Sequence, residues 1–146
     1  MNIKHFLPIL ALGFVGLTSC KKEGCTDDWA TNYNSEAKKD DGSCKYSEKF
    51  IFWQDAVQAD DWVNLYGVTS LYFYIDGQLI GSSAAGVYSL TEPSCDGSGI
   101  SSTTIDLGSE TSKNINIVIK DETNTVLIDE SWNVFAGECN KYEIIY

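Results

Sequence analysis

The chain has 146 residues, a formal net charge of −11 and no arginine. Nucleic acid phosphates would repel such a chain unless it carried a basic patch, and the lysines form none, so we expect no nucleic acid partner. The only histidine is His5, within a segment that we predict to be removed. Without imidazole the mature chain has no histidine general base, catalytic triad or histidine zinc site, so we expect a protein that is not an enzyme.

Residues 1–19 have the pattern of a signal peptide. Lys4 precedes an apolar run of about a dozen residues, which is too short for a bilayer core because that needs roughly 20. The run ends in Leu-Thr-Ser-Cys at Cys20, which resembles the lipobox of bacterial lipoproteins. The resemblance implies cleavage before Cys20, acylation of its thiol and its new N-terminus, and firm membrane anchoring by several acyl chains.

Of the five cysteines, four remain if Cys20 is acylated. An even set of cysteines in an exported chain indicates disulfide bonds, and four cysteines allow three pairings. We predict the pairs Cys25–Cys44 and Cys95–Cys139, because each pair brackets one compositionally distinct segment. On chain entropy, the shorter loop would contribute about 3 kcal/mol and the longer about 4 kcal/mol to stability.

Residues 25–46 contain few apolar side chains, so this segment needs its disulfide to stay folded, with Trp29, Tyr33 and Tyr46 as a small core. It opens with Cys-Thr-Asp and closes with Asp-Asp-Gly-Ser-Cys. This pattern resembles a short cysteine-bracketed module of secreted and surface proteins of Bacteroidota-type bacteria, although Asp28 replaces the usual proline. The resemblance marks a family and implies no activity.

The same segment is a candidate calcium site. Hard cations prefer oxygen ligands from carboxylates and amides. One closed loop supplies five such side chains: Asp27, Asp28, Asn32, Asp40 and Asp41. Their spacing does not match the EF-hand pattern. The alternative interpretation is that these side chains accept hydrogen bonds from nearby backbone groups in Asx turns and helix caps.

After Tyr46, short apolar runs alternate with Gly, Asn, Asp and Ser, a sequence pattern typical of strands and turns. Asp76-Gly77 predicts a type I′ hairpin. Alternating isoleucines in 114–120 predict a strand with one buried face. A long loop, pinned by its disulfide, is predicted over 82–100. The predicted strands cover 49–54, 62–66, 71–75, 78–80, 103–107, 114–120, 126–134 and 141–146.

These features predict an all-β fold, a small antiparallel β-sandwich of about seven to eight strands preceded by a disulfide-stapled loop module. Residues 71–81, the loop around Cys95 and residues 131–139 resemble small immunoglobulin-like or PEGA-like β-domains of lipoproteins from the same bacteria. In those domains the loop cysteine pairs with a cysteine before the last strand, in agreement with Cys95–Cys139. The resemblance implies a fold and no function, because sandwiches host many unrelated activities.

The chain therefore divides into a signal peptide (1–19), a lipidated N-terminus and tether (20–24), the disulfide-bracketed acidic module (25–46) and the sandwich (47–146). We expect a membrane-anchored extracytoplasmic lipoprotein with a protein-interaction or structural role. Its lipid would hold it in the outer membrane, facing either the periplasm or the cell surface. A flat apolar patch or an uncovered strand edge would favour a protein partner.

The alternative function is carbohydrate binding through exposed aromatic side chains. Planar rings stack on sugars while nearby carboxylates and amides bind hydroxyl groups. Tyr72 and Tyr74 share one face of a predicted strand, opposite Leu71, Phe73 and Ile75, which we expect in the core. The candidate ligand-binding residues are Trp62, Tyr72 and Tyr74.

Overall fold

The computed structural model describes residues 21–146 of the chain. The predicted signal peptide and Cys20 lie outside this range, so cleavage and acylation stay predictions. Within the described range, no helix is both long enough and apolar enough to span a membrane.

The described residues form seven strands and one short helical segment. The strands are β1 (Tyr46–Trp53), β2 (Ser70–Ile75), β3 (Gln78–Ala84), β4 (Ser101–Gly108), β5 (Ser112–Lys120), β6 (Val126–Phe135) and β7 (Asn140–Glu143). The helical segment lies between β1 and β2. It consists of an α-helical turn, α1 (Ala56–Asp60), that continues directly into a π-helical turn (Asp61–Leu65).

The strands pair in two sheets that enclose the core, with the strand orders β4-β1-β7 and β3-β2-β5-β6. Phe52 of β1 packs against Phe73 of β2 across the core, with their ring centroids 5.0 Å apart. The predicted all-β fold is thus confirmed, and its architecture is that of a small sandwich. One pairing is parallel, between β1 and β7, whereas the others are antiparallel.

Buried and exposed side chains alternate along β2 and β5, and the buried ones are those that the sequence predicted to face the core. Leu71, Phe73 and Ile75 of β2 are buried, whereas Tyr72 and Tyr74 are partly exposed on the opposite face. Three fully buried isoleucines of β5 follow the same pattern: Ile115, Ile117 and Ile119. Because side chains alternate at period two in a strand, each of these strands has one apolar face and one outer face.

The hairpin between β2 and β3 also has the predicted form. Asp76 and Gly77 both have positive φ, 50° and 79°, as a type I′ turn requires. The Asp76 carboxylate accepts a hydrogen bond from the backbone N–H of Asn116 at 2.9 Å, which ties the turn to β5.

The predicted strand 62–66 is wrong, because this stretch is helical. Asp55 caps the N-terminus of α1, where its side chain accepts the backbone N–H of Gln58 at 2.8 Å. Ala59 and Trp62, three residues apart, face the core together. The stretch is a short, mostly apolar run without clear helical periodicity, which is also typical of a strand. An Asp N-cap followed by Ala-Val-Gln-Ala was the signal that could have identified the helix.

Other predicted strand boundaries shift by one to four residues, including those of β3 and the last strand. β3 extends to Ala84, so the long loop is shorter than predicted. The last strand, predicted to reach residue 146, ends at Glu143. Ile144 still donates its backbone N–H to the carbonyl of Trp53 at 2.8 Å, which keeps the C-terminal segment beside the end of β1.

Both predicted disulfides, Cys25–Cys44 and Cys95–Cys139, are present. The first belongs to the same buried cluster as the sandwich core, so residues 25–46 pack on the sandwich. The predicted small core of this module is wrong for Trp29 and Tyr33, which are exposed. Trp29 instead lies against Gly137, where a Cβ atom would come within 2.5 Å of the indole ring.

Candidate functional site

The helical segment is held by a buried hydrogen-bond network centred on Gln54, at the end of β1. The Gln54 amide oxygen accepts the indole N–H of Trp62 at 3.0 Å. Its amide nitrogen donates to the carbonyls of Ala85 and Val87 at 2.7 and 2.8 Å. Since the side chains of Gln54 and Trp62 are both fully buried and fully paired, they fix the helical segment and the following loop rigidly to the sandwich.

Trp62 does not have the exposed position that we predicted for a ligand-stacking residue. Its ring is 0% exposed and packs against the rings of Tyr66 and Tyr146, with centroids 5.7 and 5.1 Å away. Tyr66 and Tyr146 also stack edge to face at 5.0 Å. The prediction of a stacking role for Trp62 is therefore wrong, and its indole instead supports two tyrosines at the surface.

Exposed apolar side chains gather around this segment, and we call them together the helical surface. They come from the helical turns, the loop after β3 and the C-terminal segment: Val57, Val63, Tyr66, Tyr88, Ile145 and Tyr146. Val57 and Ile145 are 68% and 67% exposed. Exposed valines on a short surface helix are not explained by the amphipathic pattern, which would place polar residues there.

Two clefts flank α1 within the helical surface. Val57 and Ile145 border the first cleft, of about 190 Å³. Val63 and Tyr88 border the second, of about 210 Å³. Because residues three and four apart share one side of a helix, these clefts lie on different sides of α1. Each cleft thus has an apolar edge that solvent reaches.

Carboxylates also border both clefts. Asp55, Asp61 and Glu143 line the first cleft, and Asp60 lines the second. Asp55 caps α1, and Asp60 accepts the side-chain amide of Asn64 at 2.6 Å. Within residues 21–146, the side chains of Asp61 and Glu143 accept no hydrogen bond, and no lysine lines either cleft. The clefts of this surface are therefore lined by both apolar and acidic side chains.

The outer face of the four-stranded sheet is a second candidate surface, and it carries both predicted tyrosines. In the strand register, Tyr72 lies opposite Lys120 and Tyr74 opposite Val118. The Lys120 ammonium group lies 5.0 Å from the centroid of the Tyr74 ring. This cation–π contact covers part of the ring that a sugar would need.

Polar side chains of β5 and β6 continue the same face. Asn116 donates its side-chain amide to the Asp129 carboxylate at 2.8 Å, and Asn114 donates to the Asn133 amide oxygen at 3.0 Å. The sheet thus places two tyrosines on the same outer face as amides and a carboxylate, which are the groups that hydrogen-bond sugar hydroxyls. In this structure, however, these polar groups bind one another.

In the 25–46 module, Asp27 is held by two donors. Its side chain accepts the Tyr46 hydroxyl at 2.7 Å and the backbone N–H of Trp29 at 3.0 Å. The Tyr46 hydroxyl and this N–H hold the pKa of Asp27 below its usual value. The Asp27 carboxylate in turn raises the pKa of Tyr46. The pair closes the module onto the first residue of β1.

Other predicted calcium ligands also bind the backbone. Asp40 and Asp41 accept the N–H groups of Gly42 and Ser43 in Asx turns, at 3.0 and 2.9 Å. Asn32 bridges the backbone of residues 43 and 45. Asp28 lines a shallow cleft beside Trp29. Over the part of the chain that the structure describes, no group of three or more acidic, histidine or cysteine side chains could hold a metal ion. Calcium binding stays a prediction.

A scan against protein families found no match to this chain. Comparisons with curated proteins and with solved structures found no similar protein either. Its function must therefore be inferred from the surfaces described above.

Proposed function

We propose that the protein is a non-catalytic lipoprotein, anchored to the outer membrane through Cys20, whose helical surface binds another protein. The single observation that supports this interaction role is the group of exposed apolar side chains around α1. Apolar patches edged by polar groups on soluble proteins commonly mark interaction sites.

The rigid support beneath the helical surface and its π-helical turn favour the same proposal. Gln54 and Trp62 hold it rigidly, so a partner would meet a preformed surface and little ordering entropy would be lost on binding. The π-helical turn is closed by the Tyr66 N–H bond to the Asp61 carbonyl at 3.0 Å. Such turns are rare and are frequently found at functional sites.

The absence of catalysis is supported by the chemistry of the chain. The only histidine is within the predicted signal peptide. The four cysteines beyond Cys20 are paired in disulfides, so none of them offers a thiolate nucleophile. Paired cysteines are also typical of exported proteins.

Site-specific photo-crosslinking in cells tests the interaction. A photoreactive phenylalanine analogue at Val57 or Ile145 should give a discrete crosslinked protein, because both side chains are exposed on the helical surface. Leu79, in the hairpin strand β3, is 52% exposed and provides the matched control. Identical products from all three positions, or none from Val57 and Ile145, would remove the support for this function.

A fatty-acid label tests the anchor separately. Wild-type protein should incorporate an alkyne-tagged palmitate and sediment with outer membranes. A Cys20→Ser variant should do neither, because it lacks the thiol that receives the diacylglycerol. Label retained by the variant would contradict the proposed anchor.

Carbohydrate binding is the second candidate, favoured by Tyr72 and Tyr74 on the same outer sheet face as Asn116 and Asp129. A glycan array probed with the wild-type chain and with a Tyr72→Ala, Tyr74→Ala double variant tests it. Binding of one glycan class that the double variant loses, at unchanged thermal stability, would support this candidate. Tyr33→Ala, which removes an exposed tyrosine from the module, is the control.

A further inference from the structure

We infer that the partner of the helical surface presents a segment in which aliphatic side chains are flanked by lysine or arginine. This inference rests on the proposed function and adds the chemistry of the partner. It is drawn from the apolar clefts beside α1 and from the unpaired carboxylates at their edges.

The clefts fit aliphatic side chains. A cleft of about 190 Å³ is much larger than the space that one water molecule needs, so an aliphatic side chain can enter it. Val57 and Ile145, which both line this cleft, would contact such a group. In the second cleft, Ala59 is buried and Val63 forms an exposed edge. Burial of these side chains by a partner would supply the apolar part of the binding free energy.

The carboxylates beside the first cleft favour a partner that carries positively charged side chains. Asp61 and Glu143 border the first cleft, and neither side chain has a hydrogen-bond or ion-pair partner among residues 21–146. The nearest lysine in sequence to Glu143 is Lys141, whose ammonium group pairs with Glu92 instead. A partner that covered these carboxylates with apolar groups alone would leave buried charges unpaired, at a high cost. A lysine or arginine at the edge of the contact removes that cost.

Two other occupants fit the charge less well. An anionic membrane surface would be repelled by the four carboxylates of the two clefts. A second copy of the chain would place the same acidic edges against each other, since symmetric interfaces use the same patch twice. The formal net charge of −11 adds long-range attraction for a basic partner.

Selection from a library of random 15-residue peptides tests the inference. The target is the full chain, purified with its anchor in a neutral detergent. Selected peptides should be rich in Val, Leu or Ile and carry a positive net charge. Their affinities, measured by fluorescence anisotropy, should fall as the salt concentration rises.

Variants locate the binding. Val57→Ser should weaken binding about tenfold, because it removes buried apolar area. Asp61→Asn with Glu143→Gln should weaken it about three- to fivefold and reduce the salt dependence, as expected for ion pairs at an interface edge. Leu79→Ser and Asp129→Asn, on other parts of the surface, are matched controls and should leave the affinity unchanged.

The outcomes separate this inference from the proposed function. Peptides that depend on Val57 but are neutral or acidic, with no effect of Asp61→Asn, would overturn the basic partner and leave the interaction role standing. An empty selection would also overturn the inference, while crosslinking at Val57 decides the proposed function independently. Binding of anionic phosphatidylglycerol vesicles at this surface would overturn the inference in favour of a membrane contact. Peptide binding that is unchanged in the Val57→Ser variant would also overturn the inference, because the peptides would then bind elsewhere on the chain.

Discussion

The helical surface and the outer face of the four-stranded sheet are both rich in aromatic residues, yet their side chains are paired to different degrees. On the sheet, Lys120 lies against the Tyr74 ring, and Asn116 binds Asp129. On the helical surface, Val57 and Ile145 face solvent, and Asp61 has no partner among the described residues. The propensity of strands for tyrosine and cross-strand pairing explains the sheet face. Neither strand propensity nor cross-strand pairing explains the exposed apolar side chains of the helical surface.

The two surfaces also differ in what holds them in place. The sheet face belongs to β2, β5 and β6, which are joined by backbone pairing. The helical surface depends on a few buried side chains at the end of β1, with Gln54 and Trp62 at the centre. Variants that affect one surface and not the other can therefore test the comparison.

The largest expected effect is that of Trp62→Ala. It removes a fully buried indole from beneath Tyr66 and Tyr146 and should lower the free energy of unfolding by about 3–5 kcal/mol. Urea unfolding measures this loss. Trp132→Ala, which removes an indole that is 37% exposed, should cost clearly less. Equal losses in the two variants would contradict a special role of Trp62 in supporting the helical surface.

Gln54→Leu should have the next largest effect. It leaves the Trp62 indole N–H and the carbonyls of Ala85 and Val87 without their partner, at a cost of about 1–3 kcal/mol. Hydrogen exchange should show faster exchange in the helical segment and in the loop after β3, with β5 unchanged. Gln78→Leu, an exposed change in the hairpin, is the control. Uniformly faster exchange throughout the sandwich would show that the network is not local.

Lys120→Met should affect the sheet face alone. It removes the cation–π contact with Tyr74 while keeping an unbranched side chain, and should cost about 0.5–1 kcal/mol. Thermal unfolding measures the loss, and crosslinking from Val57 should not change. A loss of that crosslink would mean that the two surfaces are coupled. Lys113→Met, which removes a surface ion pair with Asp76, serves as the control.

The smallest effect concerns pH at the junction between the surfaces. The Glu122 carboxylate accepts the backbone N–H groups of Thr69 and Ser70, where the chain leaves the helical segment for β2. Its own backbone N–H, followed by those of Thr69 and Ser70, holds the pKa of Glu122 below its usual value. A lowered pKa contributes stability that is present above the unfolded value and is lost as the pH falls through the folded one.

Glu122→Gln therefore should lower the thermal midpoint slightly at pH 7, and the difference from wild type should close as the pH falls below about 4. Thermal unfolding from pH 7 to pH 2 measures it. Glu110→Gln, an exposed carboxylate elsewhere, controls for the change in net charge. A difference that persists in acid would show that the Glu122→Gln substitution alters packing rather than charge.

Local patterns in the sequence were sufficient for much of the fold. The alternating isoleucines of β5 identified a buried strand face, and Asp76-Gly77 identified the hairpin. The distinct composition of the segments that the cysteines bracket identified both disulfides. Each of these features depends on residues close together along the chain or on one composition boundary.

The candidate site was predicted poorly, for a physical reason. Trp62 was expected to be exposed and is buried, while Val57 was not recognised as a surface residue. The stretch was interpreted as a strand because it is a short apolar run without clear helical periodicity. The helical cap at Asp55 could have corrected this, but no local pattern shows which helical residues a distant segment covers.

The sequence by itself determined the strand faces, the hairpin and the bracketing of segments by cysteines, because side-chain periodicity and turn chemistry act over a few residues. The tertiary structure decided the parallel pairing of β1 with β7 and the burial of Trp62. Both require segments that are far apart in the chain: Tyr146 packs on Trp62 and donates its backbone N–H to Gln58, 88 residues earlier. Which side chains remain exposed for a partner is decided by these distant contacts, and a local pattern does not contain them.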